Sequence, residues 1–194
     1  AYEEKLVIKS TSNGYLQLIE GKGLIKLSKN EDSIVKCLLK PGDYVVTDMP
    51  VMEVYTHRKV EEEMEKKYSR LIGLDEKKTT FQDAQFGIQQ IDEVACKALS
   101  PGINDAYTAI ICIDNLAAVL CQLTKINFPT NTRKDDSGEL RLITKLNDFE
   151  SFVHTAFNQI TLYGKENPLI IGRLIDSLVN IYRITEKIEN KIVI

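Results

Sequence analysis

The residues best suited to chemistry in this chain lie close together: Ser100, Gly102, Asn104, Asp105 and Thr108. They fall in the turn Ser100-Pro101-Gly102-Ile103-Asn104-Asp105 and the first turn of the helix that follows it. Hydroxyl, amide and carboxylate groups would gather there at a helix N-terminus, where unsatisfied N–H groups favour an anion. The carboxylate of Asp105 opposes an anionic ligand unless it caps the helix or meets a cation. A hard cation held by Asp105, Asn104 and backbone carbonyls is chemically reasonable, but that ligand set is too thin to assign a metal. The same residues also support a purely structural reading. Pro101 disfavours helical geometry at Ser100, Gly102 takes a left-handed conformation at little cost, and Asn104 or Asp105 caps the next helix. Both readings stand at this point.

Other polar residues form no catalytic set. Asp83 lies on the same helical run, and at 1.5 Å rise per residue it falls ~25 Å from Ser100. Asp92-Glu93 reads as a solvated pair. Asp114 interrupts an apolar helix and needs a partner, for which Arg173 is the natural choice in a structural ion pair. The chain has no G-x-S-x-G elbow, P-loop, H-E-x-x-H or Rossmann glycine pattern. Ser100 has no base near it in sequence, and only His57 and His154 could supply one. No residue is assigned as catalytic, and no metal or cofactor is assigned. Cys37, Cys96, Cys112 and Cys121 lack C-x-x-C spacing, and the last three lie in apolar helical stretches, as buried free thiols do.

The elements that position the turn are legible from periodicity. Residues 1–56 read as a small β domain, a barrel or sandwich. Its strands are Leu6-Val7-Ile8, Tyr15 to Ile19, Ser33 to Leu39, Tyr44-Val45-Val46 and Val51 to Tyr55, with a short helix from Leu24 to Ser28. Residues 57–194 read as an antiparallel helical bundle, which makes the fold class α+β. An amphipathic charged helix runs from His57 to Leu74, with Val60, Met64, Tyr68, Leu71 and Ile72 on its apolar face. The core helices carry apolar stripes. The first has Ala84, Ile88, Ile91, Ala95 and Ala98; the second has Ala109, Ile110, Ile113, Leu116, Ala117, Leu120 and Leu123. A third starts near Asn147 or Asp148 and carries Phe152, Ala156, Ile160 and Tyr163 up to Gly164. A fourth opens on Asn167 and Pro168 and carries apolar residues from Leu174 to Ile188. Asn127 to Gly138 is expected to be a mobile polar excursion, ending in a strand at Leu140 to Ile143.

Composition limits the partners. Lys+Arg total 25 against Asp+Glu 28, a net charge of −3, and the lysines are dispersed, so nucleic acid is not expected as a partner. The most apolar window, Ala106 to Leu123, contains Asp114 and Asn115 and reads as a buried helix. No signal peptide is visible. A first residue that is alanine suggests that a membrane segment lies outside the sequence given.

Two resemblances add to this. Lys40-Pro41-Gly42-Asp43-Tyr44-Val45-Val46 and the strand after it resemble the second half of a biotinyl/lipoyl-type barrel, but the M-K-M-type carrier turn is missing, so covalent cofactor carriage is not expected. More specifically, Asp83 to Ala109 contains D-x-x-F-G-I-x-Q and A-L-S-P-G-I-N-D. With S-N-G-Y-L-Q-L-I-E at 12–20, P-G-D-Y-V-V at 41–46 and A-F-N-Q-I-T-L-Y-G at 156–164, it resembles an uncharacterised family of bacterial predicted membrane proteins, a domain of unknown function. Two departures stand out: Ala106 where the family usually has Pro, and Lys77-Lys78 near its usual Arg. The resemblance implies a soluble C-terminal region, on the cytoplasmic side of the cell inner membrane, that follows N-terminal transmembrane helices. Its expected role is assembly or regulation of the membrane part, as a homo-oligomer. A ligand- or ion-binding sensor or transport module built on the 100–108 turn is the alternative.

Overall fold

A computed structural model describes residues 2–194. In chain order the elements are β1 (Glu4–Lys9), β2 (Gly14–Ile19), α1 (Gly21–Asn30), β3 (Ser33–Cys37), β4 (Tyr44–Val45), β5 (Pro50–Thr56), α2 (Glu62–Ser69), β6 (Ile72–Asp75), α3 (Ala84–Ala98), α4 (Ala106–Leu123), β7 (Thr132–Lys134), β8 (Leu140–Ile143), α5 (Phe149–Gly164), α6 (Pro168–Ile184) and α7 (Ile188–Val193). The class is α+β. The chain divides into two compact units, residues 1–83 with 129–146 and residues 84–128 with 147–194.

The first unit is built on two sheets. One has the order β1-β5-β3-β8-β7 and the other β4-β2-β6. Among the described residues the strands do not close into a barrel, which corrects half of the barrel-or-sandwich expectation. β1 and β3 flank β5 antiparallel, with Val54 opposite both Leu6 and Val35. Alternation puts Leu6, Ile8, Val35, Cys37, Met52 and Val54 into one core, where Leu24 of α1 and Met64 and Tyr68 of α2 join them. Tyr68 is fully buried, and its hydroxyl bonds Ser33 Oγ at 2.7 Å.

Three sequence expectations change here. The helix read from His57 to Leu74 is α2 alone. After Leu71 the chain turns extended, and Ile72 and Gly73 pair with Ile19 and Leu18 of β2. The domain boundary placed at 56/57 moves to 83/84, because Met64 and Tyr68 belong to the β core. The excursion from Asn127 to Gly138 is not a loose loop. Thr132–Lys134 and Leu140–Ile143 form a hairpin, and β8 adds parallel to β3 with Val35 opposite Leu142. Asp135 fixes its turn, accepting the Ser137 and Glu139 N–H groups and Arg141 Nε at 2.8–3.0 Å.

The second unit holds α3 to α7 around a single core that includes Ile88, Ala95, Ile113, Leu116, Leu120, Phe152, Ala156, Ile160, Ile170, Leu174 and Ile181. Asp148 caps α5, accepting the Ser151 N–H at 2.9 Å, and Asn167 caps α6, accepting the Leu169 N–H at 3.1 Å. Gln85 donates to the Ser151 carbonyl at 3.1 Å and to the Thr155 hydroxyl, tying the start of α3 to α5. The fourth helix ends at Ile184, so Ile188 lies on the separate α7. Phe157 is buried on α5, whereas Tyr163 is exposed. α4 is long and apolar enough to cross a membrane, but here it gives Ala109, Cys112, Ile113, Leu116 and Leu120 to this core.

Candidate functional site

The 100–108 turn joins α3 to α4 at the surface of the helical unit. Pro101, Gly102, Ile103, Asn104 and Asp105 are exposed, and Ser100 and Thr108 are half-buried. The Ser100 carbonyl accepts the N–H groups of Ile103 (3.0 Å) and Asn104 (2.9 Å), and the Asp105 N–H donates back to the Ala98 carbonyl at 2.8 Å. These bonds satisfy the backbone at the end of α3, as a helix C-terminus requires.

Asp105 is the N-cap of α4. Its Oδ1 accepts the Thr108 N–H at 3.0 Å and its Oδ2 accepts the Thr108 hydroxyl at 2.6 Å. Those two bonds hold the carboxyl below its usual range, the Thr108 hydroxyl contributing most. Ser100 Oγ donates to the Lys97 carbonyl at 2.7 Å. Ser100, Asp105 and Thr108 are therefore engaged within the turn, and among the described residues the Asn104 side chain has no hydrogen-bond partner.

The backbone geometry corrects one expectation. The left-handed residue is Asn104, at φ 49°, and not Gly102. Asparagine is among the few L residues that tolerate this region. A Cβ at Gly102 would meet nothing within 4 Å, so neither strain nor crowding requires glycine there.

Asp92 and Asp114 also differ from expectation. Asp92 is buried at 4% exposure on the stripe of Ile88 and Ala95, while Glu93 alone is solvated. The Cys96 thiol faces the Asp92 carboxylate at 3.8 Å. Loss of water pushes the Asp92 carboxyl up to about 6. Asp114 does pair with Arg173, through two bonds of 2.5 Å, but both side chains are about 40% exposed. The pair borders an open groove of ≈320 Å³ between α4 and α6 and is not a buried structural pair.

Asp83 is the signature residue whose setting sequence spacing did not reveal. It is buried in the β unit, with Lys78 Nζ 3.4 Å from Oδ2, and its carboxylate lies over the backbone of Gly42 in the Pro41-Gly42-Asp43 turn. A glycine followed 41 residues later by an acid leaves no local pattern to read. Among the described residues, no three His, Cys, Asp or Glu side chains come together as a metal-ligand set.

These features define a two-unit α+β protein whose signature residues cap and cradle backbone. The chain belongs to the family described as "Predicted membrane protein (DUF2254)", which it matches over residues 1–180. That family is of unknown function. Relatives include an uncharacterized protein of Mycobacterium bovis and one of Mycobacterium tuberculosis. Each is 35% identical over 109 residues, 56% of this chain and 21% of the relative. The chain thus spans about a fifth of the length of the curated relatives it matches. No solved structure matches it.

Proposed function

We propose that this chain is an extramembrane assembly domain of an integral membrane protein, on the cytoplasmic side of the cell inner membrane, and that copies associate through α6. We read its helical unit as an antiparallel bundle whose outer helix carries a second apolar face. The observation that carries this is the width of that helix's apolar surface. Ile170, Leu174 and Ile181 enter the core, yet Ile175, Val179 and Tyr182 are 54%, 40% and 49% exposed. At about 100° per residue the apolar positions of α6 cover roughly 200° of its circumference, well beyond what one core face uses.

The exposed stripe holds no charged residue, and it extends towards α7, where Lys191 Nζ lies 5.0 Å from the Tyr182 ring centroid. Ile188 and Ile192 of α7 are more than three-quarters exposed. A face of this kind is self-complementary, so a twofold contact would cover it on both copies at once. Light scattering of the 194-residue chain across a concentration series tests the reading. A mass above that of one chain supports it, and a strict monomer at the highest concentration removes it.

The second reading keeps Ser100, Gly102, Asn104, Asp105 and Thr108 as a ligand site for a sensor or transport role. The observation in its favour is the exposed, unpartnered Asn104 amide, held at φ 49° beside an open Gly102. A rise in melting temperature with an added anion or cation, lost in Asn104→Ala, would support it.

A further inference from the structure

The β unit contains a cavity of ≈410 Å³ that the assembly reading does not use. It opens between the start of α1, the end of β2 and the β7–β8 hairpin. Its apolar wall is formed chiefly by Ile19, Ile25, Leu142 and Leu146, and its charged lining is Lys22, Arg133 and Lys145. The lining has no acidic side chain, although acids outnumber bases in the chain, 28 to 25.

Several basic side chains in this unit are held in ion pairs. Lys5 meets Glu53, Lys29 meets Asp136, Arg58 and Lys67 meet Glu31, Lys78 meets Asp83, and Arg141 meets Asp135. By contrast, Lys22, Arg133 and Lys145 make no ion pair or side-chain hydrogen bond among the described residues. Gln82, also in the lining, accepts the Ile19 N–H at 3.1 Å through Oε1. Its amide oxygen is thus spoken for, and its NH₂ is left to donate.

From this we infer that the cavity is a binding site for an amphiphilic anion: a phosphate-type head held by Lys22, Arg133, Lys145 and Gln82, with an apolar body against Ile19, Ile25, Leu142 and Leu146. The volume suits a small ligand or the inner part of a larger one. Arg133 offers a planar fork that matches two phosphate oxygens, while the lysines supply point charges. A lining that combines apolar side chains with cationic and amide donors selects against both a bare inorganic ion and a neutral lipid. Such a head belongs equally to a membrane phospholipid or to a soluble phosphate monoester. The site lies within residues 1–83 and 129–146, so it stands independently of the α6 face.

The test is calorimetric titration and thermal unfolding of the 194-residue chain with hexyl phosphate, inorganic phosphate and hexanol as probes. Hexyl phosphate is expected to bind and raise Tm, and inorganic phosphate to bind at least about tenfold more weakly. Hexanol is expected to show no effect. The exposed double variant Arg133→Ala/Lys145→Ala should melt like wild type without ligand and lose at least about tenfold in hexyl phosphate affinity. Leu146→Ser should weaken hexyl phosphate while leaving inorganic phosphate unchanged. Sedimentation with phosphatidylglycerol vesicles and with phosphatidylcholine vesicles separates the sources. Capture by the anionic vesicles alone, lost in the double variant, assigns a lipid head. No capture, with hexyl phosphate still binding, assigns a soluble ester. The inference is overturned if hexyl phosphate fails to bind, if inorganic phosphate binds as tightly, or if the double variant binds like wild type.

Discussion

The carboxylate of Asp83 occupies the space into which any side chain on Gly42 would project. A Cβ built on Gly42 would overlap Asp83 Oδ2 and stand 2.7 Å from its Cγ, and Gly42 itself sits at φ 94°. An acid in the family signature and a glycine in a turn 41 residues earlier therefore form one structural device. Lys78 completes it at 3.4 Å.

Gly42→Ala should accordingly be severe, because it adds backbone strain and displaces a buried carboxylate together. We expect a loss of at least about 2 kcal/mol in urea unfolding. Gly102→Ala is the matched control. With open space around it and no positive φ, it should change stability by less than about 0.5 kcal/mol. Equal losses at the two positions would contradict this account of Gly42.

Asp105→Ala should lower the melting temperature at neutral pH, because it removes the cap of α4. The folded-state pKa of Asp105 is depressed, so its contribution is full above the unfolded carboxyl value of about 4 and is lost as pH falls through the folded value. Wild type and variant should therefore converge in acid. A difference that persists unchanged at pH 2 would assign the loss to packing instead of the charged cap.

Asp92 has the opposite sign. Its pKa is raised to about 6 by burial, so the folded state resists its ionisation. Stability is greatest below the unfolded value of about 4 and falls as pH rises through 6. Asp92→Asn should stabilise the chain by about 2 kcal/mol at pH 8 and by little at pH 4. An equal effect at both values would show that the carboxylate charge is not the cause.

Local chemistry made much of the fold legible. Ser12-Asn13-Gly14 marks the turn from β1 to β2, Pro41-Gly42-Asp43 the turn from β3 to β4, and Asn167-Pro168 the start of α6. The 3.6-residue stripe on α4 places Ala109, Ile113, Leu116 and Leu120 in the core. Long-range pairing was hidden. β8 joins β3 across more than 100 residues, and its short strand has no signal beyond Leu140 to Ile143 itself. β6 was absorbed into a helix because Leu71 and Ile72 continue the apolar period of α2.

At the 100–108 turn the capping chemistry was readable, while the division of labour was not. Asn104 and Gly102 are both plausible left-handed residues by type, and only the backbone shows that Asn104 holds that conformation. Asp92 could have been recognised as buried. It follows Ile88 by four residues and precedes Ala95 by three, which sets it on the core stripe.

Sedimentation velocity of the wild-type chain beside Ile175→Glu/Tyr182→Glu tests the assembly claim most directly. Both side chains are about half exposed, so the variant should keep its melting temperature while placing charges in the proposed contact. The account predicts an associating wild type and a variant that stays monomeric. An associating variant, or a wild type that remains monomeric at every concentration, would contradict it.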